Sequence, residues 1–167
     1  QQAPQVERGS PFFLSLHYTA PHWPWETRDD AAVAEDVRSN LFHLHGGNIH
    51  TYRRMIHHMD EGIGWVMQAL RETGQLDNTL VIFTSDNGGT HVVGIDGLNA
   101  PFRGWKATYF EGGIRVPLYM RWPRGLKPGK FVAPASHLDI FSTAAAAGGA
   151  KVPTDRVIDG VDLLPFH

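Results

Sequence analysis

The chain has 167 residues, 42% hydrophobic and 19% charged, enough for one domain with its own core, burying roughly 68–70% of the surface its unfolded form exposes. A formal net charge of −2 and a pI of about 6.6 provide no global field to draw in nucleic acid or an anionic membrane. The absence of cysteine excludes disulfides, thiolate metal sites and an encoded cysteine nucleophile within these residues, and no apolar run is long enough to span a bilayer.

Residues 1–10 are polar and read as a lead-in, with the domain expected from 11 to 167. Pro11 to Tyr18 is short, apolar and aromatic, which predicts a buried strand. It stops at Ala20-Pro21-His22-Trp23-Pro24-Trp25, where two prolines forbid helix and sheet continuation. Residues 26–48 are mixed and polar, with a break at Gly46-Gly47. From Ile49 to Thr73 the apolar residues Ile49, Tyr52, Ile56, Met59, Ile63, Val66 and Leu70 recur at steps of three and four, predicting a long helix with one apolar stripe. Asn48 and Gly74 are its expected caps.

Leu80 to Thr84 reads as the next buried strand. Strand, helix and strand in that order predict an α/β sheet with flanking helices. Residues 86–113 form a long glycine-rich loop, a length that is usually functional or disordered. Ile114 to Trp122 is expected as a third strand despite Pro117, and Asp139 to Ala147 as an alanine-rich helix ending at Gly148-Gly149. Ile158 to Phe166 is an apolar tail with Asp159-Gly160 as a turn. The chain opens at Gln1 without Met and closes at Pro165-Phe166-His167, so both ends are expected to be cut. No signal segment is legible.

Asp86-Asn87 follows the second strand directly. Ligands of open α/β sheets collect beyond the carboxyl ends of strands. A carboxylate beside a carboxamide offers the oxygen donors that Ca²⁺ and Mg²⁺ prefer, and Gly88-Gly89 permits close backbone approach. The same wording is also a common turn. His22 lies at the same sheet edge if the two strands are parallel neighbours. There it can hydrogen-bond an anionic oxygen, or be a loop histidine. Lys106, on the glycine-flexed loop, can neutralise developing charge or be a solvated surface lysine. His57 and Glu61, one helical turn apart, and His43 with His45 are weaker metal patterns that a solvated face also explains.

Taken together, Ala20-Pro21-His22-Trp23-Pro24, Met59-Asp60-Glu61-Gly62-Ile63-Gly64, Asp77 through Gly88, Arg103-Gly104-Trp105-Lys106 and Glu111-Gly112-Gly113-Ile114-Arg115-Val116-Pro117 closely resemble the sulfatase (arylsulfatase) family. Asp139 to Thr143 and Asp159 to Pro165 resemble it too, so the likeness covers nearly all of the chain from Pro11. The resemblance implies a partial alkaline-phosphatase-like sheet with flanking helices, and hydrolysis of sulfate esters or sulfamates. It implies a Ca²⁺ (or Mg²⁺) ion held in part by Asp86 and Asn87. His22 and Lys106 become the catalytic, substrate-binding pair that contacts the sulfate and offsets charge on the leaving oxygen. Arg103 and Glu111 are expected to hold the loop, and His91 and Trp23 to line a substrate pocket.

The family's formylglycine nucleophile arises from a Cys- or Ser-x-Pro-x-Arg motif. Neither form occurs among these 167 residues. The chain is therefore expected to be the C-terminal part of a catalytic domain, with the N-terminal half absent, inactive alone, and partnered by that half and by a sulfated small molecule or glycan. Periplasmic or secreted location is common in such a family. Two other readings stand beside this one: a phosphatase or phosphonate-ester hydrolase of the same superfamily, and a non-catalytic metal- or glycan-binding module using Trp23, Trp25 and Trp105 as stacking faces.

Overall fold

A computed structural model describes residues 11–31, 35, 39, 49–91 and 97–166. Among the described residues, four elements and one single-turn helix carry the architecture. They are the long helix α1 (Ile49–Glu72), strand β1 (Val81–Thr84), the turn of helix α2 (Glu111–Ile114), strand β2 (Leu118–Arg121) and helix α3 (His137–Ala147). β1 and β2 form a two-stranded sheet. Its register is antiparallel: Arg124 N–H donates to Asp77 O and Gly88 N–H to Gly113 O, so the pairing runs inward from both sides with one strand ascending and the other descending. Between the strands, residues 85–117 make one long excursion.

The chain divides into two compact units. One comprises His17–Leu76 and Ile82–Tyr119; the other comprises Asp77–Val81 and the residues from Met120 onward, with the segment ending at Leu16.

In the first unit α1 is the support. Its expected stripe is present, but Tyr52, Ile56, Met59, Ile63, Val66 and Leu70 are only half-buried, while Thr51 and Met55 are buried. The helix ends one residue before the expected Thr73, in a Schellman turn. Gly74 takes a φ of +71°, its N–H reaches Arg71 O, and Gln75 N–H reaches Leu70 O. Only glycine adopts that left-handed conformation without strain. The expected cap Asn48, the break at Gly46-Gly47 and the pair His43 and His45 lie outside the described residues.

Residues 18–30 fold onto α1. Trp25 is 1% exposed. Its indole N–H donates to Pro21 O at 3.1 Å, and its ring meets Tyr52 at 4.9 Å. Tyr18 lies against Gly62, where a Cβ would stand 2.8 Å from the phenol oxygen. Arg54 reaches Asp29 at 2.9 Å, and Arg28 reaches Glu61 at 3.2 Å. These exposed ion pairs add little energy. They do fix where the segment bearing His22 crosses the helix.

In the second unit, α3 starts at Ser136 with a capping box. Ser136 Oγ accepts from Leu138 N–H, and Asp139 returns a carboxylate oxygen to Ser136 N–H at 2.6 Å. The tail then docks on the polar side of α3. Asp139 accepts Val161 N–H at 2.8 Å, Thr143 accepts Leu163 N–H at 3.0 Å, and Ser142 donates to Gly160 O at 2.8 Å. Three buried polar side chains on a helix thus serve as hydrogen-bond sockets for a strandless tail, which satisfies backbone groups that burial would otherwise leave costly.

Three expectations are corrected. Pro11 to Tyr18 is not a buried strand; these residues are exposed, Phe13 by 79%. A strand needs a neighbour's N–H and C=O groups, and the sheet among the described residues is β1 with β2. His22 therefore does not reach the site from a parallel neighbouring strand. The strand expected from Ile114 begins only at Leu118, because residues 111–114 form α2 and Pro117 has no N–H to give a ladder. Asp159-Gly160 is not a turn: Gly160 instead passes over α3 so closely that a Cβ would sit 2.0 Å from Leu138 O.

Candidate active site

The site grows from the excursion between the strands. β1 ends at Thr84, and Asp86 and Asn87 follow at once, Asp86 exposed and Asn87 half-buried. The Asn87 amide N–H donates to Asp86 Oδ2. That leaves Asp86 Oδ1 and the Asn87 side-chain Oδ1 as a pair of hard donors, the Asn87 backbone oxygen accepting from the Ser85 hydroxyl at 3.1 Å. Such oxygens fit Ca²⁺ or Mg²⁺ chemically, and they are two of the six to eight that Ca²⁺ takes. Among the described residues, no group of three or more His, Asp or Glu side chains converges to hold a metal. His57 Nε2 lies 3.7 Å from Glu61 Oε1, one turn apart on α1.

The backbone then folds back on itself. Gly88 N–H donates to Gly113 O, Lys106 N–H to Gly89 O and Gly112 N–H to Arg103 O, at 3.0, 3.0 and 2.7 Å. A Cβ on Gly88 would lie 1.8 Å from Gly112 O, and one on Gly112 would lie 2.2 Å from Gly104 O. The glycines are there because three stretches of backbone touch. Asn99 locks the fold: its side chain accepts from Gly89 N–H at 2.8 Å and donates to Gly89 O and Gly104 O at 2.9 and 3.2 Å. Arg103 holds the loop as expected, through its carbonyl and through its guanidinium, which lies 4.0 Å over the Phe110 ring. Glu111 pairs with Arg115 at 3.1 Å.

Lys106 sits at the corner of a turn closed by Thr108 N–H to Trp105 O at 2.9 Å. The Thr108 hydroxyl tightens it by bonding both Trp105 N and Trp105 O. Ala107 occupies the third position with a φ of +70°, a conformation that turns of this kind normally give to glycine. This turn brings Lys106 Nζ to 3.3 Å from His22 Nε2. On its other side, His22 Nδ1 contacts Trp23 O. Both ring nitrogens of His22 thus have a neighbour, the Lys106 amine at Nε2 and the Trp23 carbonyl at Nδ1.

Two of the four sequence-derived candidates, His22 and Lys106, are thus brought into contact across a sequence separation of 84. The other two, Asp86 and Asn87, touch each other, and Gly89, two residues on, is bonded to the Lys106 backbone. Trp23, expected as pocket lining, has its indole nitrogen buried without a hydrogen-bond partner. His91 does line a cleft, stacked on Trp105 with ring centroids 4.7 Å apart. No periodicity in the sequence signals that pair.

Comparison with known proteins bears on the family and the fold. The family model described as Sulfatase matches residues 1–150. Steryl-sulfatase of Mus musculus is 47% identical over 95% of this chain, which covers 25% of that protein. The crystal structure of Ps i-CgsB in complex with k-i-k-neocarrahexaose superposes with a TM-score of 0.69 at 37% identity, over 87% of this chain and 31% of that one. The structure of BT4656 with its substrate D-glucosamine-2-N,6-O-disulfate gives a TM-score of 0.52 at 28% identity, over 81% of this chain and 28% of that one. The chain spans about a quarter of the length of the curated relatives it matches. With these neighbours, its helices and small sheet are a partial alkaline-phosphatase-like α/β fold.

Proposed function

The chain belongs to the sulfatase family, and from that premise we propose that it supplies part of the metal and sulfate site of a sulfuric-ester hydrolase. The observation that carries this reading is the Lys106–His22 contact at 3.3 Å, built on the loop that leaves Asp86-Asn87. The nucleophile is supplied from outside these 167 residues, which contain neither Cys nor Ser-x-Pro-x-Arg. The chain alone does not turn over.

In this reading a sulfate ester enters with its charged oxygens toward Lys106. The ammonium gives one N–H to His22 Nε2 and keeps two for the substrate. As the nucleophile supplied from outside these residues forms its bond to sulfur, the S–O bond to the alcohol breaks and electron density collects on the leaving oxygen. Lys106 offsets that charge, and a proton held between Nζ and Nε2 passes to the oxygen, so the alcohol departs neutral. Trp23 O holds Nδ1–H throughout, which keeps Nε2 as the end that shuttles the proton. Asp86 and Asn87 are the residues that would hold a divalent cation, whose chemistry is to polarise the sulfate. The substrate is a sulfated small molecule or glycan, a class supported by the steryl-sulfatase relative and the disulfated glucosamine bound by a structural neighbour.

The test is aryl-sulfate hydrolysis by the 167-residue chain and by the polypeptide extended with whatever its gene encodes upstream of Gln1. Activity only in the extended form, abolished by Lys106→Ala, is expected. Enzyme-like turnover by the short chain, or an extended enzyme indifferent to Lys106→Ala, overturns the reading.

A further inference from the structure

Lys106 is presented by a loop, and a lysine head group on its flexible stem is placed only as well as the backbone beneath it. On one side that backbone is held, Lys106 N–H donating to Gly89 O at 3.0 Å. On the other side stands Ala107 with a φ of +70°, a conformation disfavoured for a residue with a Cβ. The main-chain bond from Thr108 N–H to Trp105 O closes the turn at 2.9 Å, and it has to hold against that preference.

The half-buried Thr108 side chain adds a second closure. Its hydroxyl accepts from Trp105 N–H at 3.1 Å and donates to Trp105 O at 2.7 Å. A hydroxyl is both donor and acceptor, so one oxygen ties down both peptide groups of the residue before Lys106. Two glycines leave room for it. A Cβ on Gly104, whose φ is +87°, would stand 2.5 Å from Thr108 Oγ1, and one on Gly113 would stand 3.0 Å from the same atom.

We propose that Thr108 is the positioning residue of the Lys106–His22 pair: its hydroxyl sets the turn that carries Lys106 Nζ to 3.3 Å from His22 Nε2. Thr108 acts through Lys106 alone. The assignment rests on the sulfate-site reading for its effect on rate, though not for its effect on the contact. What the turn requires is the hydroxyl. Serine therefore replaces threonine, and valine, close in volume but without the hydroxyl, does not.

The experiment has two arms. In the first, the His22 ring-nitrogen signals of the isotopically labelled chain are recorded by NMR at one pH and identified by their loss in His22→Ala. Thr108→Val is expected to carry the Nε2 signal toward its place in Lys106→Ala while the amides of α1 stay unmoved, and Thr108→Ser to leave it at its native place. Thr108→Ala, which only removes atoms, serves if Thr108→Val does not fold. A valine variant with a native Nε2 signal, a serine variant shifted as far as valine, or equal changes throughout α1 overturns the proposal. In the second arm, on the polypeptide extended upstream of Gln1, Thr108→Val is expected to lower kcat on an aryl sulfate about tenfold, with Thr108→Ser close to native. Added to Lys106→Ala, Thr108→Val is expected to cost nothing more, because there is then no ammonium to position. An equal loss in both backgrounds overturns the proposal. An extended enzyme indifferent to Lys106→Ala counts against the proposed function, and the His22 signals then still decide the role of Thr108.

Discussion

Lys106 Nζ and His22 Nε2 meet at 3.3 Å, and the imidazole is held from behind by the carbonyl of its own neighbour, Trp23. In the function proposed above, the two side chains act as one proton-holding unit. In the extended enzyme, Lys106→Ala and His22→Ala are each expected to lower kcat by about 10²–10³. The double variant should be little worse than either single one, because groups that act together are not additive. Steady-state kinetics on an aryl sulfate decides it. Losses that multiply would mean two independent roles.

Asn99 ties three stretches of the loop with one side chain. Asn99→Ala leaves Gly89 N–H without its acceptor and is expected to cost roughly 1–3 kcal/mol. The effect should be local. Hydrogen exchange of the Gly89 and Lys106 amides should accelerate, while amides in α1 stay protected. Uniform acceleration would refute a local clasp.

Ala107 stands at φ +70° directly after Lys106. A left-handed alanine costs about 1–2 kcal/mol, while glycine adds about 0.5–1 kcal/mol of unfolded-state entropy. Ala107→Gly should therefore come out neutral or slightly stabilising in urea unfolding. Ala145→Gly, inside α3, should cost about 1 kcal/mol. A clear loss at both positions would show that the turn is not strained.

Asp139 is 7% exposed and splits its carboxylate between Ser136 N–H and Val161 N–H. Asp139→Ala removes a cap and a tail socket together, an expected loss of roughly 2–4 kcal/mol. Asp139→Asn keeps one acceptor oxygen and should lose about half as much. Urea unfolding of the two variants makes the comparison, and equal losses would exclude the divided role.

Tyr52 has its phenol pushed above the ordinary 10.0 by burial, under the Trp25 ring. The folded state holds the proton more tightly than the unfolded one. Its contribution is thus fully present below pH 10.0 and is lost as pH rises through the higher folded value. Melting temperature should fall above pH 10 more steeply in the native chain than in Tyr52→Phe. Parallel pH curves for the two proteins would remove Tyr52 from the alkaline transition.

Local elements were legible where local physics decides them. The period of α1, the glycine at its end and the β-branched run of β1 all appear in the sequence and in the fold. The capping box of α3 moved its start only to His137. Pro11 to Tyr18 misled because hydrophobic composition marks a strand that needs partners, and composition says nothing of whether partners are near. α2 was missed because Gly112 and Gly113 are poor helix formers; they are buried and bonded to Arg103 and Phe110 carbonyls instead. The contacts of His22 with Lys106 and of His91 with Trp105 are tertiary, and only the family resemblance named the first pair. The second had no such guide.

The Asn99 clasp also bears on how such a loop can change over generations. Gly89 is pinned on both its N–H and its carbonyl, and Asn99 does the pinning. New side chains at Thr90, His91 or Leu98 can remodel the cleft while the spacing of Asp86 from Lys106 stays set by the Gly88–Gly113 and Lys106–Gly89 backbone bonds. The fold thus separates the part that is free to diversify from the part that must stay in register.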